Sequence, residues 1–187
     1  MPVCVVCSAW GEGALCSVCR RGLHRAAPVR LGGSLEVYTA FAHGATARRL
    51  VHRLKYTGIR CAAEVLAMAM LEAMPSDVTA LVPVPSALAR HFRYGVDPAV
   101  LLAGLIGREA GIPVVAALRA PLWWPSNAGT SRARRWSPGF RPMQAAPAGG
   151  VLVDDVVTTG ATLLSAAART QLHRALTATR AGEPVSG

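Results

Sequence analysis

Lysine is almost missing from this 187-residue chain: of twenty basic residues, only Lys55 is not arginine. Acids are few as well, ten against those twenty bases, and the formal charge is +10. Two readings of that charge stand side by side. It marks a polyanionic partner, a nucleic acid or a phosphorylated small molecule, or it reflects a composition rich in arginine and alanine throughout. Aromatic residues make up only 5%. No apolar run approaches the roughly 18 residues that a membrane span requires. The first residues carry cysteines and an acid where a secretory leader carries a basic start and an apolar stretch, so the expected location is cytoplasmic. The nucleoside-triphosphatase loop GxxxxGK[ST] and the dinucleotide fingerprint GxGxxG are both absent. His24, His43, His52, His91 and His173 form no HxH or HExxH pattern. What is present is a globular composition, 52% hydrophobic, in a length suited to one domain with a small appendage.

Periodicity and punctuation divide the chain. Residues 1–27 are cysteine-rich, and 28–34 (PVRLGGS) read as a turn-rich linker. Strands are expected at 35–43, 78–85, 113–118 and 149–155, from β-forming residues in short runs. Helices are expected at 45–56, 59–74, 98–110 and 160–176, the third opened by Asp97-Pro98 and closed by Gly111 and Pro113. Residues 119–148 read as irregular, and 179–187 as a disordered tail. Strands alternating with helices imply an α/β fold, a parallel sheet covered by helices on both faces.

The most informative stretch is VLVDDVVTTGATLL, residues 151–164. Val151-Leu152-Val153 has the composition of a central parallel strand, and ligands of open parallel sheets bind beyond the carboxyl ends of such strands. Asp154 and Asp155 stand at that end. Thr158, Thr159, Gly160, Ala161 and Thr162 then open a helix whose unpaired N–H groups suit a phosphate. Gly160 permits close approach of the backbone, and the threonine hydroxyls add donors. The two carboxylates repel a phosphate but accept hydrogen bonds from a diol, or help hold Mg²⁺. One molecule satisfies both halves: a ribose with its 2- and 3-hydroxyls on the acids and its 5-phosphate in the loop. The alternative is a strand–turn–helix in which the threonines only cap the helix.

This stretch resembles the phosphoribosyl-pyrophosphate (PRPP) motif of type I phosphoribosyltransferases. From residue 4 to about 165 the chain resembles the competence protein F (ComF) family, a cysteine-rich segment ahead of a phosphoribosyltransferase-like domain. HRLKY (52–56) and LVPVPSALARHFR (81–93) point to that branch. The resemblance implies a type I phosphoribosyltransferase-like domain over residues 35–178, with Asp154 and Asp155 as the catalytic pair facing the ribose diol and 158–162 holding the 5-phosphate. It implies pyrophosphate contacts from Lys55, Ser86, Arg90 and Arg93, with exposed N–H groups near Ser86. Asn127 and Arg135 stand where the family's mobile loop carries a Gln followed by an Arg. The implied activity is transfer of phosphoribosyl from PRPP, with Mg²⁺, to a nitrogen acceptor. The other role the family name suggests is DNA uptake without catalysis, with single-stranded DNA or competence-machinery proteins as partners. Two departures stand out. The family reads RGFNQ where this chain has Tyr94-Gly95-Val96-Asp97-Pro98, and the strand that follows the family's last helix is not expected in RALTATRAGEPVSG.

Cys4, Cys7, Cys16 and Cys19 form two CxxC knuckles eight residues apart. Each can aim two thiolates at one tetrahedral Zn²⁺; an iron–sulfur site or disulfides are the alternatives. Cys61 lies within a helical pattern and reads as a small buried residue. Trp123, Trp124 and Trp136 bracket Arg132, Arg134 and Arg135. That loop reads as a lid over a sugar-phosphate site, as packing on the sheet edge, or as a platform for single-stranded nucleic acid.

Overall fold

A computed structural model of the chain describes residues 3–11, 13–57, 59–86, 97–121 and 139–182. It is a mixed α/β fold built on a five-stranded sheet. In chain order the elements are α1 (Ser17–Arg21), β1 (Val29–Leu31), β2 (Leu35–Ala42), α2 (Ala45–Thr57), α3 (Arg60–Ala73) and β3 (Ala80–Pro83), followed by α4 (Pro98–Ala110), β4 (Leu118–Arg119), β5 (Arg141–Pro142), β6 (Gly150–Val157), α5 (Ala161–Thr170) and β7 (Arg174–Arg180). The sheet order is β1-β2-β7-β6-β3. Only β1 runs antiparallel to its neighbour; β2, β7, β6 and β3 are mutually parallel. All four therefore present their carboxyl ends at one edge of the molecule.

Each face of the sheet has its own core. On one, Leu81, Val151, Val153 and Leu176 meet α2, α3 and α4 through Leu50, Leu54, Leu66, Met70, Leu102 and Ile106. The i, i+3, i+4, i+7 spacing of Ala47, Leu50, Val51 and Leu54 turns one stripe of α2 inward and leaves Arg48 and Arg49 exposed. On the other face, Leu35, Val37, Leu152, Val157 and Ala175 meet Leu163 and Ala166 of α5, together with Ala117, Leu118 and Phe140. Neighbours in β6 thus serve opposite cores, and the strand is apolar in succession rather than in alternation.

The cysteine segment joins this core: Cys4, Val6, Leu15 and Cys19 are buried with the helical face. Arg25 fixes the chain behind it. Its guanidinium lies over Phe41 (5.2 Å), donates to the Ala69 carbonyl (3.2 Å) and pairs with Glu72.

Several expectations are corrected. The last helix ends at Thr170 rather than 176, because Gln171 takes the left-handed conformation (φ 60°) and returns its N–H to Ala167. Residues 174–180 then form the middle strand of the sheet, so the strand not expected from the sequence is there. Ala175, Leu176 and Ala178 favour helices, but this segment is buried on both faces and pairing to β2 and β6 outweighs propensity. Thr179 and Arg180, assigned to a disordered tail, are buried in β7, and Arg180 donates to the Ala27 carbonyl at 3.0 Å. The expected linker at 28–34 contains β1 and a turn through Gly32 and Gly33, both at positive φ. Of the strand expected at 113–118, only a Val114–Leu81 bridge and Leu118, at the start of β4, are paired. Among the described residues no helix is long and apolar enough to cross a membrane.

Candidate functional site

Cys4, Cys7, Cys16 and Cys19 converge as their spacing predicts. A bridge between Val3 and Trp10 folds the first knuckle back, and the Cys16 sulfur caps α1 by accepting the Cys19 N–H. All four sulfurs lie within 4.8 Å of one another, and Cys7 Sγ to Cys16 Sγ is 3.7 Å. Four thiolates about 2.3 Å from a tetrahedral Zn²⁺ stand about 3.8 Å apart, so the set fits that ion. The local electrostatics ask for a cation. Burial opposes ionisation of Cys4, yet N–H groups of Cys16, Cys7 and Val6 outweigh it and lower the thiol to about 6. Cys19, buried and crowded by the other sulfurs, is pushed up to about 12. Cys61 is half-buried and stands outside the group, its thiol shifted upward chiefly by burial.

The second constellation lies at the carboxyl edge of the sheet. Asp154 pairs in register with Thr177 of β7, and Asp155 follows it within β6. Alternation along the strand assigns Asp154 to the face of Leu152 and α5, and Asp155 to the face of Val153 and α2. Accordingly Lys55 of α2 reaches Asp155 Oδ2 at 2.8 Å, although Asp155 is only 6% exposed. Asp154 Oδ1 accepts the Asp155 N–H at 2.8 Å. Loss of solvent around Asp154, and then the charge of Asp155, hold its carboxyl well above the usual range, against the pull of Lys55.

Beyond β6 the chain turns through Thr158, Thr159 and Gly160 into α5. Gly160 caps that helix at φ 78° and, being glycine, brings no side chain of its own to the cap. A methyl group at Gly160 would collide with Leu31 of β1, so both backbone conformation and close approach demand glycine. Ala161 and Thr162 occupy the first turn and are half-buried, while Thr158 is exposed. The residues expected to hold a phosphate therefore form a strand–turn–helix start with a left-handed glycine at its N-cap.

On the neighbouring strand the outcome differs from the expectation of exposed N–H groups near Ser86. The Ser86 amide donates to Asp97 Oδ2 at 2.8 Å. The other oxygen of Asp97 caps α4, accepting from Ala99 (3.1 Å) and Val100 (3.5 Å). The Asp97 carboxyl sits above its ordinary range: burial raises it, the three amide donors pull it down, and the charge of Asp155 raises it again. The Asp97-Pro98 pair signals the cap in sequence; the bond to Ser86 has no sequence signal because it joins residues 11 apart in the chain. Arg90, Arg93, Asn127 and Arg135 lie outside the described residues, as do Trp123, Trp124, Trp136, Arg132 and Arg134.

The same edge holds polar groups that sequence reasoning passed over. Thr39 and Thr177, both buried, share a hydrogen bond of 2.8 Å across β2 and β7. His43, at the end of β2, meets the Thr179 hydroxyl through Nδ1 at 3.0 Å. Burial, followed by Arg48 and Lys55, lowers the basicity of its imidazole, with Asp155 opposing. None of these threonines belongs to a motif; only strand register brings them together.

The acid pair does not make a prearranged Mg²⁺ cage: one oxygen of Asp155 is taken by Lys55 and one of Asp154 by a backbone amide. Among the described residues the four cysteines are the only metal-competent group of three or more. A scan against protein-family models matches none, and a search of curated proteins returns no similar chain.

Proposed function

We propose that this chain is a phosphoribosyltransferase-like protein of the ComF type that binds a 5-phosphoribosyl ligand at the carboxyl edge of its sheet. The observation that carries the proposal is the sequence of groups at the end of β6: a carboxylate pair, then a helix start whose N-cap is a left-handed glycine. Amides of the first turn of α5 meet the phosphate, aided by the dipole of the helix. Asp154 and Asp155 accept from the vicinal hydroxyls. Mg²⁺ arrives with ligand phosphates rather than in a protein cage. Transfer of the sugar to a nitrogen acceptor, with PRPP as donor, is the reaction class that follows from the resemblance. The cysteine centre holds structural Zn²⁺.

Calorimetric titration with ribose 5-phosphate against ribose tests the assignment. The wild type is expected to release heat only with the phosphorylated sugar. Thr159→Ala weakens binding roughly tenfold, the equivalent of one lost hydrogen bond, and the Asp154→Ala/Asp155→Ala pair abolishes it. Equal heats from all three proteins would overturn the assignment.

A second reading is a non-catalytic competence accessory protein that handles single-stranded DNA. Its support is Trp10, 72% exposed on the first cysteine knuckle, with Arg20 and Arg21 exposed in the last turn of α1. An open indole suits base stacking, and exposed arginines suit the phosphates of the strand. DNA binding that falls with salt, and falls further in Trp10→Ala while persisting in the double aspartate variant, would favour it.

A further inference from the structure

His43 is a titratable group at the carboxyl edge that the phosphoribosyl reading leaves without a role. It stands between the last residue of β2 and the start of α2. Three contacts hold it there. Its own N–H donates to the Arg180 carbonyl (3.0 Å), and the N–H of Ala42 before it donates to the His24 carbonyl (2.9 Å). Its Nδ1 lies 3.0 Å from the Thr179 hydroxyl. Thr179 is buried, so the ring is oriented from within the sheet, while the ring itself is only half-buried. Its charged neighbours are Arg48 and Lys55 of α2 and Asp155 of β6. Burial first, then the two cations, hold the imidazole below the ordinary 6.5, and Asp155 opposes them. The ring is therefore neutral at pH 7, a proton acceptor rather than one more cation. Only β7 separates β2 from β6. Two strand spacings, about 10 Å, part the ends of those strands, which is room for a ribose with a flat ring attached. Ser86 follows β3, on the other side of β6.

We propose that His43 is the general base of the phosphoribosyl transfer, and that the acceptor is a neutral ring or amide whose attacking nitrogen carries a hydrogen. The inference rests on the phosphoribosyl reading given above, in which the ribose sits at the end of β6 and pyrophosphate leaves toward Lys55 and the Ser86 turn. A nucleophile enters C1 from the side opposite the departing group. That side is the β7–β2 flank, where His43 stands. The nitrogen–C1 bond forms as the C1–oxygen bond breaks, and the electron pair of the broken bond leaves with pyrophosphate. The N–H proton of the acceptor passes to Nε2, while Nδ1–H donates to Thr179 and fixes the tautomer. Solvent then takes the proton from the ring. Arg48 and Lys55 are cations and accept no proton, and Asp154 and Asp155 are engaged by the diol.

Water serves as the acceptor in the test. Pyrophosphate release from PRPP with Mg²⁺, above the protein-free rate, is followed on the full chain prepared with Zn²⁺, and PRPP affinity is measured beside it by calorimetry. Asparagine at this position keeps an amide within reach of Thr179 but takes no proton. His43→Asn is expected to release pyrophosphate roughly 100-fold more slowly with PRPP affinity unchanged. The wild-type rate falls with acid below pH 6.5 and that of His43→Asn does not. Added imidazole restores part of the rate to His43→Ala. An unchanged rate in His43→Asn, or PRPP bound by the wild type without release, would overturn the inference and leave the ligand reading standing. Rate and affinity lost together in His43→Asn, with no rescue of His43→Ala by imidazole, would make His43 a structural residue and overturn it as well. Failure of PRPP to bind the wild type would overturn the phosphoribosyl reading, and this inference with it.

Discussion

Asp154 shows what a carboxylate costs at the end of a buried strand. Its carboxyl is raised well above the ordinary 3.8, first by burial and then by the neighbouring Asp155 charge. A folded state that holds a proton more tightly than the unfolded chain loses stability as pH rises from the unfolded value through the raised one. Asp154→Asn is therefore expected to stabilise the protein at pH 7 by on the order of 1 kcal/mol, a rise of roughly 2–4 °C in Tm. Well below the unfolded value both residues are neutral, and the difference disappears. Thermal melts at the two pH values check the sign, and a stabilisation that persists in acid would contradict it. The same substitution weakens the acceptor half of the proposed diol clamp, so stability and ligand affinity move in opposite directions, as they do where a site retains a costly group.

At the scale of elements, glycines in α4 separate propensity from packing. Gly104 has open space where a methyl group would stand, whereas a Cβ at Gly107 would lie 2.6 Å from the Ile112 carbonyl oxygen and 2.9 Å from Val114 Cγ2. Gly104→Ala is expected to stabilise by about 0.5–1 kcal/mol through helix propensity, and Gly107→Ala to destabilise by roughly 1–3 kcal/mol through overpacking against backbone. Denaturant unfolding of the two variants measures both signs. The elements also show what the sequence carries in readable form. α4 is legible at both ends, through Asp97-Pro98 and Gly111, because its signals are local and match its packing. The convergence of the four cysteines and the strand–turn–helix after Asp155 are legible for the same reason: their signals are local. β7 is not legible, since Ala175, Leu176 and Ala178 prefer a helix and only burial between two strands reverses that preference. Nor is the closure of Ser86 by Asp97, or the Thr39–Thr177 contact across β2 and β7, because each joins residues that chain order keeps apart.

For the whole molecule, the four-cysteine cluster and the core form one structure. Cys4 and Cys19 are buried with Leu50, Leu54 and Leu66, so with the proposed Zn²⁺ bound its removal is expected to loosen a cluster that extends to the sheet. Metal analysis is expected to find one zinc per chain, and Cys7→Ser/Cys16→Ser to find none. Chelation lowers Tm by roughly 10 °C, the effect of a few kcal/mol in a domain of this size; an unchanged Tm in zinc-free protein would dissociate the centre from the core. The sheet has a comparable dependence on a single piece. β7 lies between β2 and β6, and it is translated after every other strand. Until residues 174–180 are in place, β2 and β6 each keep an edge whose partner is missing. Those edges invite pairing with neighbouring nascent chains, and the waiting ends when seven residues, Arg174 to Arg180, slide in and zip both halves shut.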